Sequence, residues 1–254
     1  MTVKFTAHNI RLDDGTETRP EVGHTIESHG WFLAAQRIIN AVFPGDKSKI
    51  RLADLGCLEG AFAVEFARLG MNVLGVEVRE SNFAACEYVK SKINLPKLQF
   101  ARDDAWNIAK HGTFDVMFCS GLLYHLDKPK AFLKLLSSVT TKLLILHTHF
   151  STPAEPNKKF GLSDMVENEG LQGRWFTEFP TDKEYQNRED LKWASWDNHR
   201  SFWIRREELL QTIQDVGFNA VLEQYDWLGA DIAEAMTTGY HHTDTRGLFI
   251  GIKS

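Results

Sequence analysis

The chain has 254 residues, of which 43% are apolar, so it can bury a sizeable core and is not expected to be disordered. Lysine and arginine number 29 against 34 aspartate and glutamate, and the formal net charge of -5 argues against nucleic acid as a partner. The three cysteines lack CxxC spacing, the N-terminus lacks the apolar core of a signal peptide, and no stretch has membrane-spanning length, so we expect a soluble cytoplasmic protein without membrane partners.

The first part of the chain is predicted to be an arm followed by a helix. Residues 1–28 are polar and carry the turn signals "DDGTETRP", which predict an irregular arm. Apolar residues then recur at helical spacing from Trp31 to Val42, and "PGD" at 44–46 ends the pattern. We therefore assign residues 1–45 to an N-terminal arm and helix.

Residues 46–150 alternate between short apolar strand candidates and helical segments. The predicted strands are 51–55, 72–76, 98–103, 114–119 and 142–149, and the predicted helices are 60–70, 81–92 and 129–138. Runs such as "DVMF" and "LLILH" are apolar on both faces, as strands of a parallel sheet covered by helices require. The alternation predicts an open α/β sheet with right-handed crossovers.

The alternation lapses at residues 151–203, which are dense in aromatic side chains. Structureless loops of this length are rare in compact domains unless they are functional, so we predict an inserted cap over a site. The sheet pattern resumes over residues 204–254, with a helix at 206–216 and strands at 218–225 and 246–252.

The stretch "RLADLGCLEG" ends the first predicted strand and carries glycines at positions 56 and 60. Glycines between a strand and a helix let backbone N–H groups approach a ligand closely, although glycine is also common as simple turn chemistry. Glu77 ends the second strand about 20 residues downstream, where a carboxylate can accept both hydroxyls of a ribose. Cys57 and Leu58 follow Gly56, so the middle glycine of a dinucleotide fingerprint is missing, and NAD and FAD are disfavoured.

Four motifs occur in order along the chain: "ADLGCLEG", Glu77, "RDDAWNI" and "FDVMFCSGLLYHLDKP". In this combination the chain resembles the class I S-adenosylmethionine (SAM)-dependent methyltransferases, over residues 48–150 and more weakly to the C-terminus. The resemblance implies SAM as the cofactor. It also implies a Rossmann-like open seven-stranded sheet that is mostly parallel, with an antiparallel last strand at 246–252 beside the sixth.

The resemblance further implies roles for residues around the cofactor. Gly56 and Gly60 would lie beside its homocysteine part, and Asp54 would reach its ammonium group. Glu77 would hold the ribose. Ser120, where the fourth strand ends, would lie near the methionine moiety.

The same resemblance implies an adenine site in "RDDAWNI". Asp104 would bind the adenine amino group, and Ala105 would bind an adenine nitrogen through its backbone. Asp103 competes with Asp104, because a slip of one residue turns a strand-end side chain to the other face.

Three histidines lie at the carboxyl ends of predicted strands, where open α/β sheets bind ligands. His125 lies in "LLYHLDKP", and His147 and His149 end the fifth strand and are expected to point to one face. An imidazole can take a proton at neutral pH, so each histidine is a candidate catalytic base, against the alternative of a hydrogen-bonded packing residue. His147 and His149 could instead hold a metal with a distant carboxylate or with His241 and His242, but no recognisable ligand set accompanies them and we predict no metal.

These features predict a SAM-dependent methyltransferase that acts on an oxygen or nitrogen of a small molecule, or of a sugar in a glycan or lipid-linked precursor. One alternative is a tRNA-modifying enzyme, because "GLLYHLDKP", "SFWIRREELLQTIQDVGF" and "RGLFIGIK" are similar to parts of the bacterial tRNA wobble-uridine carboxymethyltransferase, which uses carboxy-SAM. Tyr124 and Arg246 match the residues that contact the extra carboxylate in that enzyme, but a nucleic-acid enzyme should also show a basic stripe. The other alternative is a module that binds SAM without turnover.

Overall fold

The computed structural model describes residues 3–153, 160–238 and 245–254. Its strands are β1 (Arg51–Leu55), β2 (Asn72–Glu77), β3 (Leu98–Arg102), β4 (Phe114–Ser120), β5 (Thr140–His149), β6 (Val166–Asn168), β7 (Leu171–Thr177), β8 (Arg200–Ile204), β9 (Ala220–Gln224) and β10 (Arg246–Ile252). Seven of them form one sheet in the order β3-β2-β1-β4-β5-β10-β9. β1, β2 and β3 pair in parallel, whereas β10 pairs antiparallel with β9. The predicted Rossmann-like sheet with an antiparallel last strand is therefore confirmed.

Helices connect these strands. They are α1 (Gly30–Val42), α2 (Ala61–Arg68), α3 (Glu80–Lys92), α4 (Pro129–Val139), α5 (Asp182–Gln186), α6 (Arg206–Asp215) and α7 (Ile232–Thr238). Short 3-10 helices cover Ala105–His111, after β3, and Leu123–His125, after β4. The predicted bounds of the matching strands and helices differ from the observed ones by at most about two residues, because continuous apolar runs define where each strand is buried.

The chain divides into two compact units. The first contains residues 1–118 and 139–143, and the second contains residues 119–138 and 144–254. In the first unit, the predicted arm forms two 3-10 turns, Pro20–Val22 and Ile26–Ser28, and an isolated bridge between Arg11 and Glu17. It is nonetheless docked, because Ile10 is only 1% exposed. The arm therefore contributes to the core of this unit.

The second unit contains an additional small sheet within the predicted cap. β6, β7 and β8 form an antiparallel sheet in that order, and Gly173 of β7 lies opposite Ile204 of β8. The sequence pattern missed these strands because β6 has only three residues and β7 has a glycine as its third residue. This glycine is required, since a Cβ at Gly173 would lie 2.5 Å from the Phe202 ring.

Two expectations from composition concern the state of the cysteines and the presence of membrane-spanning segments. Cys57, Cys86 and Cys119 are all buried and form no disulfide. Among the residues that the structure describes, no helix combines the length and the apolar character needed to cross a membrane.

Candidate functional site

The loop between β1 and α2, residues 56–60, is called here the cofactor loop. The N–H groups of Gly56 and Cys57 both donate to the carbonyl of Val76, at 2.9 and 3.1 Å, which holds the loop against the end of β2. Gly56 and Gly60 have φ values of 65° and 84°, in the left-handed region that glycine adopts readily. These bonds and angles fix the backbone of the first motif.

Gly60 is also required by packing inside the protein. A Cβ at this position would lie 2.6 Å from Cζ of Phe100 on β3. The glycine is thus explained by its backbone angle and by the Phe100 ring, without a ligand. The sequence analysis considered a ligand or a simple turn as the reason for Gly60, and it could not include Phe100, which is distant in the chain.

Asp54 lies near the end of β1 and is 2% exposed. Its Oδ2 atom has no hydrogen-bond partner among the described residues. Burial raises the pKa of this carboxyl to about 8, a hydrogen bond from the Ala63 backbone opposes the shift, and the nearby Glu77 adds to it. A buried carboxylate oxygen that lacks a donor is suited to bind an ammonium group.

Glu77, the last residue of β2, is 3% exposed. Its Oε2 atom accepts from the Leu58 N–H at 2.9 Å and its Oε1 atom accepts from the Arg79 N–H at 2.8 Å. Burial raises the pKa of this carboxyl, against the opposing effect of the Arg79 and Leu58 hydrogen bonds and of the Arg79 charge. Each carboxylate oxygen has a second lone pair, so both oxygens can still accept a hydroxyl.

The two aspartates after β3 have different partners. Asp103 accepts from the Asn107 side chain at 2.7 Å through Oδ1 and lies 3.0 Å from His111 Nε2 through Oδ2. Asp104 is the N-cap of the 3-10 helix that begins at Ala105, and its Oδ1 atom accepts from the Trp106 N–H at 2.8 Å. The Asp104 N–H also donates to Asp103 Oδ1, at 2.8 Å, so both lone pairs of that oxygen are used, whereas Oδ1 of Asp104 accepts one hydrogen bond; this favours Asp104 for a ligand.

The second unit brings Ser120 and His147 together. The Ser120 hydroxyl lies 3.2 Å from His147 Nδ1. His147 is fully buried, and its ring lies 6.3 Å from that of Trp227. This histidine has the surroundings of a packed residue in a hydrogen bond.

His149 stacks on Trp203, with ring centroids 4.5 Å apart and an interplanar angle of 12°. The ring centroids of His149 and Tyr124 are 4.7 Å apart. The guanidinium carbon of Arg246 lies over the Tyr124 ring, 5.7 Å from its centroid. Burial, reinforced by the Arg246 charge, lowers the pKa of His149 to about 3. Burial also raises the pKa of Tyr124. His149 is consequently neutral at physiological pH and is a weak base.

His125 has a different environment, since it is paired with a buried carboxylate. Its Nδ1 atom lies 2.8 Å from Oε1 of Glu178, whose side chain is fully buried, whereas the His125 side chain is 12% exposed. Glu178 also accepts from the Ser201 hydroxyl at 2.7 Å and from the Ser195 N–H at 2.9 Å. These donors fix the carboxylate, so that His125 donates through Nδ1 and keeps Nε2 as a proton acceptor.

Glu178 was missed by sequence reasoning. It lies 53 residues from His125, in the segment read as a cap, and no local motif marks it. Its local signal, an acid between Thr177 and Phe179, is too weak to identify a partner for one histidine among several.

The structure also bears on the alternative of a metal site. Within residues 3–153, 160–238 and 245–254, no three His, Cys, Asp or Glu side chains are grouped so that they could hold a metal ion. His241 and His242, which were considered as ligands, lie outside the described residues.

Comparisons with known proteins agree with this architecture. A family model described as a methyltransferase domain matches residues 29–223. The ubiquinone biosynthesis O-methyltransferase of Rhodopseudomonas palustris (strain HaA2) is 29% identical over 86 residues, and the match spans 34% of this chain and 34% of that protein.

Solved structures resemble the whole fold at low identity. The N-terminal domain of EvdMO1 with S-adenosylhomocysteine (SAH) bound matches with a TM-score of 0.63 and 23% identity. The match covers 89% of this chain and 82% of the EvdMO1 chain. The glycopeptide N-methyltransferase MtfA complexed with SAM has a TM-score of 0.53 at 13% identity and covers 90% of this chain and 95% of its own. At such identities these structures support the fold alone. The similarity to the tRNA wobble-uridine carboxymethyltransferase finds no support in these matches.

Proposed function

Because the chain belongs to the methyltransferase-domain family, we propose that it transfers the methyl group of SAM to an oxygen or nitrogen of a small molecule, with a hydroxyl as the favoured acceptor. The observation that carries the choice of a hydroxyl is the 2.8 Å pair of His125 and Glu178, which provides a base. The names of two similar proteins, a ubiquinone biosynthesis O-methyltransferase and a glycopeptide N-methyltransferase, support transfer to an oxygen or nitrogen; a sugar of a glycan or lipid-linked precursor is the alternative acceptor.

The residues of the first unit fit SAM. The Asp54 carboxylate would accept from the ammonium group, which satisfies its unpartnered oxygen, and Glu77 would accept from the ribose hydroxyls. Asp104 and the backbone of Ala105 would bind the adenine, and Gly56 lets the loop approach the homocysteine part. When bound, SAM supplies a methyl group on a sulfonium, a leaving group that is already activated.

The role of His125 is to remove a proton from the acceptor. Its Nε2 atom would accept the hydroxyl proton, and the Glu178 carboxylate would stabilise the imidazolium that forms. Since the Ser195 and Ser201 hydrogen bonds hold this carboxylate, the ring keeps one tautomer and one orientation. A base of this kind contributes about 10²–10⁴-fold to a rate.

We assign roles to the other predicted residues as well. Ser120 would lie near the methionine moiety, and its partner His147 would orient the hydroxyl. We keep Tyr124 as a cofactor residue, and its neighbour, the neutral His149, would line the acceptor side. We expect no metal and no nucleic acid to take part.

The test is methyl transfer by the purified protein. Radiolabelled SAM would be incubated with a panel of hydroxyl and amine acceptors, and binding of S-adenosylhomocysteine (SAH) would be measured by calorimetry. We expect binding and transfer to at least one hydroxyl acceptor. Absence of SAH binding would refute the proposal, SAH binding without any transfer would favour a non-catalytic module, and a copurified ligand with the mass of carboxy-SAM would favour carboxymethyl transfer.

We also propose a cytoplasmic location. The three buried free thiols support it, since reduced cysteines persist in that compartment. Detection of the tagged protein in the cytosolic fraction of its own cells is the test.

A further inference from the structure

Glu59, within the cofactor loop, binds the backbone of the N-terminal arm (residues 3–28). Its Oε1 atom accepts from the N–H of Thr6 at 2.5 Å and from the Thr6 hydroxyl at 3.0 Å. Its Oε2 atom accepts from the N–H groups of Ala7 at 3.1 Å and His8 at 2.8 Å. Three consecutive backbone donors of the arm thus converge on one side chain of the loop.

The burial of Glu59 makes these bonds necessary. The residue is 0% exposed, and a buried carboxylate is costly unless several donors compensate for the lost water. Successive N–H groups that point at one anion form a favourable binding site of this type. His8 supplies no charge at neutral pH, since burial lowers its pKa to about 4. The backbone donors therefore hold the carboxylate, and the carboxylate in turn holds the arm.

Leu58, the neighbour of Glu59, has a strained backbone. Its φ of 51° lies in the left-handed region, which a leucine rarely adopts because of steric strain. In this conformation the Leu58 N–H donates to Oε2 of Glu77. Such a conformation persists only when the surrounding contacts fix it, and the contacts of Glu59 with the arm are immediately adjacent.

We propose that Glu59 is a positioning residue that uses the N-terminal arm to hold Leu58 in its left-handed conformation and so to keep Glu77 oriented for the cofactor ribose. The sequence of contacts runs from residues 6–8 of the arm to Glu59, then through the Leu58 N–H to the Glu77 carboxylate. The link to the cofactor rests on the proposed function. The link from the arm to Leu58 does not.

Hydrogen exchange of the ligand-free protein tests the first link. Glu59→Gln keeps the size of the side chain but places an NH₂ group where one oxygen accepts backbone donors. We expect exchange of the amides of residues 6–8 and of Leu58 to accelerate together, by about tenfold or more. The matched control is Glu80→Gln, because Glu80 is an exposed carboxylate that pairs with Arg102. It should change the exchange of neither the arm amides nor the Leu58 amide. Faster exchange in the arm with an unchanged Leu58 amide would overturn the proposal.

A double-mutant cycle on SAH affinity tests the second link. In calorimetry, we expect Glu59→Gln to weaken SAH binding by about tenfold or more in the wild-type background. In a Leu58→Gly background the same substitution should weaken SAH binding by less than about threefold, because glycine adopts a positive φ without support from neighbouring contacts. A residue that merely stabilises the fold would cost the same affinity in both backgrounds, and that result would refute the mechanism.

The remaining outcomes are also decisive. If Glu59→Gln does not fold, Thr6→Ala provides a milder variant, because it removes the hydroxyl donor at 3.0 Å and keeps the backbone donors. This variant should accelerate exchange of the same amides by about twofold to threefold. No acceleration at Leu58 in Thr6→Ala would then count against the proposal. If the wild-type protein does not bind SAH, the proposed function fails, while exchange in the ligand-free protein still decides whether the arm holds Leu58.

Discussion

Replacing Asp54 by asparagine should stabilise the ligand-free protein while weakening cofactor binding. The wild-type carboxyl has an ordinary pKa of 3.8, and burial raises it to about 8 in the folded state. A group with a raised folded pKa stabilises the fold fully below its unfolded pKa, and this contribution is lost as the pH rises through the folded pKa. Between about pH 4 and about pH 8, Asp54 therefore makes the free energy of unfolding fall with pH. Asp54→Asn removes this dependence.

The size of the effect follows from the pKa values. Each pKa unit corresponds to about 1.4 kcal/mol, so the advantage of Asp54→Asn over the wild type should grow by about 2 kcal/mol between about pH 5.5 and about pH 7. The new amide leaves a buried N–H₂ group without an acceptor, at a cost of about 1–3 kcal/mol that does not vary over this range. The comparison between the two pH values cancels that cost, and it is therefore the quantity to measure.

Urea unfolding of both proteins at the two pH values gives this difference, with the slope of the transition as a check that both unfold in the same way. The same pair of proteins tests the binding role. At pH 7 most of the wild-type Asp54 is protonated, so SAH binding through its ammonium should release a proton, which appears as a dependence of the binding enthalpy on the buffer. Asp54→Asn should bind SAH about 10-fold to 100-fold more weakly and release no proton there. An unchanged pH slope, or equal proton release by both proteins, would refute the reasoning.

Three further predictions concern catalysis and packing. His125→Ala should lower kcat by about 10²–10⁴-fold and leave the calorimetric affinity for SAH unchanged, and a fall in affinity of similar size would contradict a role as base. Glu178→Gln should lower kcat by about tenfold or more with an unchanged KM for SAM, while a wild-type kcat would show that the pair is only structural. Gly75→Ala should lower the free energy of unfolding by about 1–3 kcal/mol, since its Cβ would lie 2.6 Å from the Phe100 ring and 2.9 Å from Cys57 Sγ. Phe100→Leu should offset part of that loss in urea unfolding, and additive losses would argue against this clash.

The sheet and the cofactor loop could be predicted from sequence because their determinants are local. The run "RLADL" contains all of β1, and four of its five residues are buried, which is what a strand covered on both faces requires. Asp54 and Glu77 lie at or near the ends of β1 and β2, where the alternation of apolar runs and polar residues places them. Neighbouring residues are enough to find where these strands end, whereas the role of Asp54 and the antiparallel last strand were implied by the family resemblance.

Features that depend on distant contacts could not be predicted in the same way. Gly60 was read as a ligand contact, but the Phe100 ring also occupies the space beside it. The strand β7 was not predicted because Gly173 within it lowers the strand signal, and the ring that requires this glycine belongs to Phe202 on β8. In both cases a side chain from another strand decides the residue, and a window of the sequence does not contain that side chain.

Two parts of the chemistry depend on different residues. The candidate residues for the ammonium group, the ribose and the adenine lie in the first unit, whereas the candidate base depends on Glu178, which residues 195 and 201 hold in place. Substitutions around β7 and β8 can therefore change how the acceptor is bound and deprotonated without altering the cofactor loop. Enzymes that share one methyl donor but differ in their acceptors are expected to differ in sequence in this segment. The acceptor of this protein must therefore be inferred from the contacts around His125 and Glu178, and the glycine motif carries no information about it.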